Sequence, residues 1–350
     1  MAGISRYYPS RPQSVEMHRM SESRPRIAAV IPCYRVRSHV LDVIAAIGPE
    51  VSRIYVVDDA CPEQSGALVR ERCDDSRVTV IGLPANRGVG GAVMAGYRAA
   101  LDDDMEIIVK IDGDGQMDPA LIPDFVAPIV AGEADYTKGN RFFDIEAVQA
   151  MPAVRLYGNA ILSFMSKLSS GYWDLFDPTN GYTALHADVA RRLPFDKISP
   201  RYFFETDMLF RLNTLHSVVL DIPMVARYGA EVSNLRISAV LFEFLGKHTR
   251  NFIKRIFYNY YLRDMSVASV ELPLGLLLFL FGVLFGAFHW IRSFAEGASS
   301  TAGTVMLSGL TVIVGLQFLL AFLAHDVRSV PTRPIHRLRA RARLEARGQS

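Results

Sequence analysis

Short apolar runs alternate with helical patterns along the first third of the chain. The apolar runs cover residues 27–32, 54–58, 78–83 and 107–111, and apolar residues recur at helical spacing over 40–47, 66–73 and 89–101. Near-continuous apolar strands separated by helices are typical of a parallel sheet that is covered on both faces. The pattern therefore predicts an α/β domain with a Rossmann-like, mainly parallel sheet and helices on both of its faces.

Two much longer apolar segments lie toward the C-terminal end, at residues 272–291 and 302–324. Each is long enough to form the helix of about 20 residues that crosses a hydrocarbon core. Buried helices of a soluble protein are the alternative, but two adjacent segments of this length disfavour it. We predict a two-helix transmembrane hairpin over residues 268–326.

The charges around this hairpin predict its orientation. The connecting loop, 292–301, carries one Arg and one Glu, whereas arginines are frequent in 1–24 and in 327–350. Because positively charged flanks tend to stay in the cytoplasm, we expect the preceding domain and both tails there, with the hairpin in the cell (inner) membrane. The hairpin is also rich in glycine, which allows close packing of helices, so the sequence is compatible with a homo-oligomer.

The region just before the hairpin, 235–267, is predicted to form amphipathic juxtamembrane helices. Apolar residues recur there every three or four positions. A basic amphipathic helix beside a membrane hairpin is expected to lie in the interface with its cations toward lipid headgroups. An ordinary helix packed on the sheet is the alternative. The basic residues are Lys247, His248, Arg250, Lys254, Arg255 and Arg263.

Composition and motifs exclude several other classes of protein. A formal net charge of +2 gives no global field that would favour nucleic acid. The three cysteines form no CxxC pair, so neither a disulfide framework nor a zinc site is expected. The glycines at 88–91 do not complete a dinucleotide fingerprint, and no P-loop sequence is present. Residues 1–24, rich in Pro, Ser and Arg, are expected to be a disordered basic tail.

Polar residues follow the predicted strands, and ligands bind at the carboxyl ends of parallel strands. The fourth apolar run leads directly into Asp112 and Asp114. Two carboxylates this close repel each other unless a cation binds between them, and hard oxygen ligands suit Mg²⁺ or Mn²⁺. A solvated Asp-Gly turn is the alternative. Three further polar groups, after the first three runs, are expected at the same edge, which favours a ligand site over a simple turn.

Four segments in order carry a family resemblance. They are Ile-Pro-Cys-Tyr at 31–34, Val-Val-Asp-Asp at 56–59, Asn-Arg-Gly-Val-Gly at 86–90 and Asp-Gly-Asp-Gly-Gln at 112–116. Together they resemble the motifs of inverting GT-A glycosyltransferases of family 2. More narrowly, they resemble the polyprenyl-phosphate branch, with dolichyl-phosphate mannose synthase and bacterial undecaprenyl-phosphate sugar transferases. A Q-x-x-R-W motif, typical of the processive polysaccharide synthases, is absent from residues 250–261.

The resemblance implies a GT-A catalytic domain over residues 25–234 that binds a nucleotide-diphosphate sugar. It implies a divalent cation, Mg²⁺ or Mn²⁺, held by Asp112, Asp114 and Gln116. The residues implied to bind the nucleotide sugar are Pro32, Tyr34, Asp58, Asp59, Asn86, Gly90, Asp112, Asp114 and Gln116.

The second half of the domain resembles the family's acceptor and catalytic segments. Arg141, in Gly-Asn-Arg-Phe at 139–142, matches a position near the acceptor, and Arg155 and Asn159 match positions that bind a lipid phosphate in relatives. Residues 177–182 match the D-x-x-x-G segment under the acceptor. The residues implied to be catalytic are Asp114, the acidic pair Glu205 and Asp207, and Arg227, whose segment would close on the donor diphosphate.

These features lead to one hypothesis and two alternatives. The hypothesis is an inverting glycosyltransferase that moves a sugar to a membrane polyprenyl phosphate on the cytoplasmic face. A phosphate monoester is already anionic at pH 7, so such an acceptor would need orienting rather than deprotonating. The first alternative is transfer to a hydroxyl of a glycan or glycolipid. The second is a nucleotide-sugar-binding membrane scaffold without turnover.

Overall fold

The computed structural model describes residues 25–143, 153–225 and 237–338, except for the side chains of 153–157, 159 and 237–241. Strands and helices alternate through its first part: β1 Ile27–Cys33, α1 Val40–Ala46, β2 Val51–Asp58, α2 Ser65–Arg72, β3 Val78–Gly82, α3 Val89–Asp102, β4 Ile107–Lys110, α4 Ile122–Val130 and β5 Tyr136–Asn140. The second part contains α5 Ala153–Ser170, β6 Thr183–His186, α6 Ala187–Ala190, α7 Phe204–Thr214, β7 Val219–Pro223, α8 Ile237–Phe257, a π-helical turn Tyr258–Arg263, α9 Val267–Glu296 and α10 Ala302–Arg328.

The strands form one sheet in the order β3-β2-β1-β4-β6-β5-β7. The four strands predicted from the sequence pair in parallel, and among the described strands only β6 runs antiparallel to its neighbours, β4 and β5. Successive residues of β1 enter opposite apolar layers: Ile31 belongs to the buried cluster that contains Phe125 of α4, and Val30 to the one that contains Tyr97 of α3. The predicted mainly parallel sheet with helices on both faces is confirmed.

This topology brings the functional segments to one edge. The carboxyl ends of β1, β2 and β4 lie together because these strands are parallel, and β5 and β7 run in the same direction. Because β6 is antiparallel, the segment that precedes it, residues 177–182, reaches the same edge. All the loops that carry candidate site residues on the described part of the sheet therefore converge.

Helix α8 packs on α5 and α7, and its basic side chains do not all point in the direction predicted from the sequence. Of its basic residues, His248 and Arg255 are turned inward and are 3% and 1% exposed. The expectation that all these cations face lipid is therefore wrong for these two, because they find polar partners in the domain. The outward face carries Phe242, Leu245 and Ile253 with Arg250 and Lys254 along one groove.

Helices α9 and α10 form an antiparallel pair, and both are long and apolar enough to cross a membrane. They extend beyond the predicted limits, to 267–296 and 302–328. Glycines face the partner helix: a Cβ on Gly275 would meet Phe318, and one on Gly282 would meet Val312. A Cβ on Gly315 would meet the backbone of Phe279. These three glycines therefore serve packing within the hairpin rather than between copies.

A buried polar network joins the hairpin to the sheet domain. Asp326 near the end of α10 accepts both arms of the Arg255 guanidinium, at 2.6 and 2.9 Å. The same carboxylate accepts the indole N–H of Trp173 at 2.9 Å and the hydroxyl of Tyr260 at 2.7 Å. Since Arg255 also donates to the carbonyl of Leu168, the network connects α10, α8, α5 and the loop after α5.

Residues after the hairpin return to the sheet domain. The backbone N–H groups of Ile335 and His336 donate to the carboxylate of Asp135, just before β5, at 2.9 and 3.1 Å. The His336 ring stacks on His186 with centroids 4.3 Å apart. These contacts lie at the amino end of β5, so this segment covers the edge of the sheet opposite the converging loops. The predicted tail 1–24 and residues 339–350 of the predicted tail 327–350 lie outside the described residues.

Candidate active site

A cleft of about 590 Å³ opens at the carboxyl ends of β1, β2 and β4. Loops after these strands form one wall, and the start of α7 with the loop before it forms the other. The residues that line it are Pro32, Cys33, Tyr34, Val36, Asp59, Asn86, Gly88, Val89, Ala92, Lys110, Asp112, Gly113, Asp114, Arg201, Tyr202 and Glu205. Seven residues predicted to bind the donor or to be catalytic are among them: Pro32, Tyr34, Asp59, Asn86, Asp112, Asp114 and Glu205.

Asp112 and Asp114 lie on the turn that follows β4. The chain leaves the sheet after Ile111, and Gly115 adopts a φ of 77°, a left-handed conformation that glycine reaches without strain. The backbone N–H of Gln116 donates to Asp114 Oδ1 at 3.0 Å, which tightens the turn. Both carboxylates face the cleft, whereas the Gln116 side chain, predicted as a third metal ligand, is not part of its lining.

Lys110, the last residue of β4, is a buried cation beside this pair. Its Nζ lies 2.7 Å from Asp112 Oδ1 and 4.0 Å from Glu205 Oε1, and its side chain is 1% exposed. Burial by itself lowers the pKa of Lys110, but the adjacent Asp112 and Glu205 carboxylates outweigh it and raise that pKa overall. Lys110 is not among the residues predicted from the sequence, although a lysine at the end of an apolar strand is a visible signal.

Glu205 and Asp207 both lie in the first turn of α7 but have different surroundings. Glu205 faces the cleft, and burial raises its pKa while Lys110 opposes the rise. Asp207 is 1% exposed and accepts the backbone N–H of Ser199 at 2.8 Å and the Asn251 amide at 2.9 Å. The predicted catalytic role of Asp207 does not agree with this placement, since both of its oxygens hold protein groups outside the cleft.

The acidic pair after β2 is also divided. Asp58 accepts the backbone N–H groups of Cys61 and Gly66 at 2.8 and 3.0 Å, so it stabilises the start of α2 and does not line the cleft. Asp59 lines the cleft and accepts the backbone N–H groups of Arg87 and Gly88 at 2.6 and 2.8 Å. Asp58, predicted to contact the donor, is therefore turned toward α2 and not toward the cleft.

The glycines of residues 86–90 make room for a second loop. A Cβ on Gly88 would lie 2.6 Å from the Pro200 carbonyl, and one on Gly90 would lie 2.6 Å from the Ser199 carbonyl. The N–H of Gly91 donates to Pro200 O at 3.1 Å. This close approach positions Arg201 and Tyr202 over the cleft. Gly90, predicted to contact the nucleotide, instead packs against this loop. The sequence contained no signal that Arg201 and Tyr202 line the cleft.

A second polar cluster lies beyond Glu205, at the ends of β5 and β7. The guanidinium of Arg141 forks onto the buried carboxylate of Asp177, with bonds of 2.7 and 3.1 Å. Lys138 donates to the carbonyl of Asn180, and burial lowers the pKa of Lys138 to about 8. Asp221 accepts the backbone N–H of Phe176 at 2.8 Å, and burial raises the pKa of Asp221 to about 6. The Asp177 fork fixes the direction of Arg141, a predicted acceptor residue.

Three predicted residues cannot be placed in this geometry. Arg227 lies outside the described residues, and so does the segment around it. Arg155 and Asn159 belong to α5, but their side chains are not among those described.

The acid pair suits a divalent cation that takes its remaining ligands from a substrate. Asp112 and Asp114 supply hard carboxylate oxygens on one wall of the cleft. Within residues 25–143, 153–225 and 237–338, no group of three or more His, Cys, Asp or Glu side chains forms a closed metal cage. Mg²⁺ is commonly bound by one or two carboxylates together with substrate phosphates and water. The donor set therefore suits such a cation.

Comparisons with known proteins agree with this arrangement. A family model described as glycosyl transferase family 2 matches residues 28–193. An undecaprenyl-phosphate mannosyltransferase of Micrococcus luteus is 29% identical over 203 residues, which cover 57% of this chain and 82% of the relative. A dolichol-phosphate mannosyltransferase of Pyrococcus furiosus is 25% identical over 226 residues, which cover 63% of this chain and 62% of the relative.

Among solved structures, glucosyl-3-phosphoglycerate synthase from Mycobacterium tuberculosis is similar at 18% identity with a TM-score of 0.48. The alignment covers 67% of this chain and 79% of that protein. The family match, the named relatives and the cleft at the strand ends confirm the resemblance seen in the sequence motifs. The chain is a glycosyltransferase, and its residues 28–193 match glycosyl transferase family 2.

Proposed function

We propose that this enzyme transfers a sugar, with inversion, from a nucleotide diphosphate to a polyprenyl phosphate at the cytoplasmic face of the cell membrane. One observation carries the proposal: the cleft with Asp112, Asp114 and Glu205 lies beside a helix, α8, whose outward face is apolar and basic. The Phe203 ring, next to the cleft residue Tyr202, packs edge-on against Phe244 and His248 of α8. The names of the two relatives support the same class of acceptor.

The donor half of the cleft is formed by the loops after β1, β2 and β4. Pro32, Tyr34, Asp59 and Asn86 line the part next to β1 and β2, where the nucleotide would bind. Asp112 and Asp114 would hold Mg²⁺ or Mn²⁺, and the bound cation would act as a Lewis acid toward the departing diphosphate. Arg227 is proposed to add a forked guanidinium contact to the same phosphates.

The acceptor is proposed to attack as a phosphate monoester. Its second pKa is about 6, so its oxygen is anionic at pH 7 and can attack the anomeric carbon without a general base. The new C–O bond forms as the bond to the diphosphate oxygen breaks. Glu205 would orient the acceptor, while Arg141, Arg155 and Asn159 would hold its phosphate. The fork of Arg141 onto Asp177 supports this role because it keeps the guanidinium in one place.

The membrane geometry is part of the proposal. Phe242, Leu245 and Ile253 of α8 are 80%, 49% and 60% exposed, a large apolar face for a soluble helix. Arg250 and Lys254 border the same groove, which suits anionic headgroups. The antiparallel hairpin and the contact of His336 with Asp135 support a topology with the catalytic domain and the segment after α10 on one face of the bilayer.

The test is a donor panel with the full chain in detergent or nanodiscs. UDP- and GDP-sugars are supplied with Mg²⁺ or Mn²⁺, using undecaprenyl phosphate, dolichyl phosphate or an alkyl glycoside as acceptor, and lipid-linked product is followed. Asp114→Asn serves as the matched control. Product on a polyprenyl phosphate supports the proposal. Product only on the glycoside would favour a hydroxyl acceptor, and nucleotide-sugar binding without any product would favour a scaffold.

A further inference from the structure

Lys110 occupies an unusual place for a lysine. It ends a buried strand, its ammonium lies 2.7 Å from a carboxylate oxygen of Asp112, and almost none of the side chain reaches solvent. Gly181, from the segment before β6, backs the ammonium so closely that a Cβ there would collide with Nζ. The packing around Lys110 therefore fixes its ammonium group at the bottom of the cleft.

The ammonium changes the charge that a cation would meet. Asp112 and Asp114 together offer two negative charges, and Lys110 offsets one of them at contact distance. A divalent cation bound by these two carboxylates alone would lie near this fixed positive charge in a partly desolvated site, where Coulomb interactions are strong. The ammonium therefore lowers the affinity of the two carboxylates for a free metal ion.

A nucleotide diphosphate reverses this balance. It brings further negative charge and oxygen ligands to the cation, and these compensate for the ammonium. Glu205, with its carboxylate 4.0 Å from Nζ, offers Lys110 a second partner when Asp112 turns to the cation. Removing Lys110 would therefore affect the empty site more than the site that contains a diphosphate.

We propose that Lys110 is a positioning residue that makes cation binding at Asp112 and Asp114 depend on the donor diphosphate. The ammonium serves as the counter-ion of Asp112 while the site is empty. The inference rests on the proposed function only in taking a nucleotide diphosphate as the donor. Its consequence is an enzyme that takes up metal and donor together rather than holding a metal ion between turnovers.

The experiment measures Mn²⁺ binding to the full chain in detergent, by calorimetry or by the loss of the free Mn²⁺ electron paramagnetic resonance signal. Each protein is titrated alone and with saturating UDP or GDP, whichever binds. For the wild type we expect weak binding of Mn²⁺ alone and at least about tenfold tighter binding with the nucleotide, a change of about 1.4 kcal/mol. For Lys110→Met we expect Mn²⁺ alone to bind at least about tenfold more tightly than to the wild type.

Two further variants keep the result interpretable. Lys110→Gln removes the charge but retains hydrogen-bonding groups toward Asp112, so it covers the case in which the methionine variant fails to fold. Lys138→Met removes a second buried lysine, which donates to Asn180 rather than to the acid pair, and should leave Mn²⁺ binding unchanged. Unaltered Mn²⁺ affinity in both folded Lys110 variants would overturn the proposal. So would wild-type binding of Mn²⁺ that is indifferent to nucleotide.

These outcomes are distinct from those that test the proposed function. An enzyme that fails to glycosylate polyprenyl phosphate could still show the change in Mn²⁺ affinity, because that arm requires neither acceptor nor turnover. Conversely, lipid-linked product with unchanged Mn²⁺ affinity in the Lys110 variants would retain the proposed function and reject the role of Lys110.

Discussion

The carboxylates of Glu205 and Asp207, two residues apart on α7, serve opposite sides of the helix. Glu205 faces the cleft, and Asp207 holds the N–H of Ser199 and the amide of Asn251. Residues two apart on an α-helix do not share a face, so one short acidic motif supplies one cleft residue and one structural residue. Helical geometry therefore favours different roles for the two acids.

The first prediction separates Asp207 from the acid pair. Asp114→Asn should lower sugar transfer by about 100-fold or more, since it weakens a preorganised charge at the leaving group. Asp207→Asn should keep kcat within a few-fold but lower the unfolding free energy by about 1–3 kcal/mol, because buried hydrogen bonds are weakened. Initial rates and thermal melts of both purified variants provide the measurements. Equal loss of activity in two folded variants would indicate a chemical role for Asp207.

The second prediction concerns the glycine loop. Gly90→Ala would place a methyl group 2.6 Å from the Ser199 carbonyl, in direct overlap. The loop that carries Arg201 and Tyr202 must then shift, at a cost of about 1–3 kcal/mol in stability. We also expect weaker nucleotide binding by calorimetry. Gly246→Ala is the matched control, since a Cβ there meets nothing within 4 Å and should leave both quantities near wild type or slightly raise stability.

The third prediction concerns pH. Burial of His248 against Phe203 lowers its pKa from 6.5 to about 4. The unfolded chain therefore binds the proton more readily, so this contribution to stability is complete above pH 6.5 and is lost as the pH falls toward 4. Between these limits His248→Gln should flatten the decline in melting temperature by the equivalent of about 1–3 kcal/mol. A decline as steep in the variant as in the wild type would assign the acid sensitivity to other groups, including His186, whose pKa burial also lowers to about 4.

The fourth prediction tests the link between hairpin and domain. Asp326→Ala leaves the Arg255 guanidinium buried without its partner and should lower the unfolding free energy by about 3–5 kcal/mol. Glu296→Ala breaks the exposed pair with Arg292 and should change it by less than about 1 kcal/mol. Denaturant or thermal unfolding in the same detergent gives both values. Equally small losses of unfolding free energy in the two variants would show that the Arg255–Asp326 pair contributes little to stability.

The sheet and the acid pair could be predicted because their signals are local. A buried parallel strand is apolar along its whole length, and the residue that ends the run at Ile111 marks the point where Asp112 and Asp114 enter the ligand edge. The family motifs gave the same positions independently. The two apolar segments of the hairpin are equally local signals, and only their ends needed correction.

The remaining site residues depend on contacts between distant segments. Lys110 faces Asp112 and Glu205 only because α7 packs against the end of β4, and Arg201 reaches the cleft only because its loop crosses Gly88 and Gly90. Asp58 and Asp207 resemble ligands in the sequence, but they accept backbone N–H groups of nearby residues and do not line the cleft. Which of two neighbouring acids faces the cleft is decided by how these segments fold, and a motif does not encode this.

The partners of Asp135 set an order of events during synthesis. This carboxylate precedes β5, yet three of its hydrogen bonds come from Ile335 and His336, two hundred residues later in the chain. A ribosome must therefore complete α9 and α10 before the base of the sheet acquires its last contacts. If the hairpin enters the bilayer as it emerges, the catalytic domain matures only after the chain is anchored. An unanchored nascent chain would then lack these contacts at the base of its sheet, and the fold would be completed at the membrane.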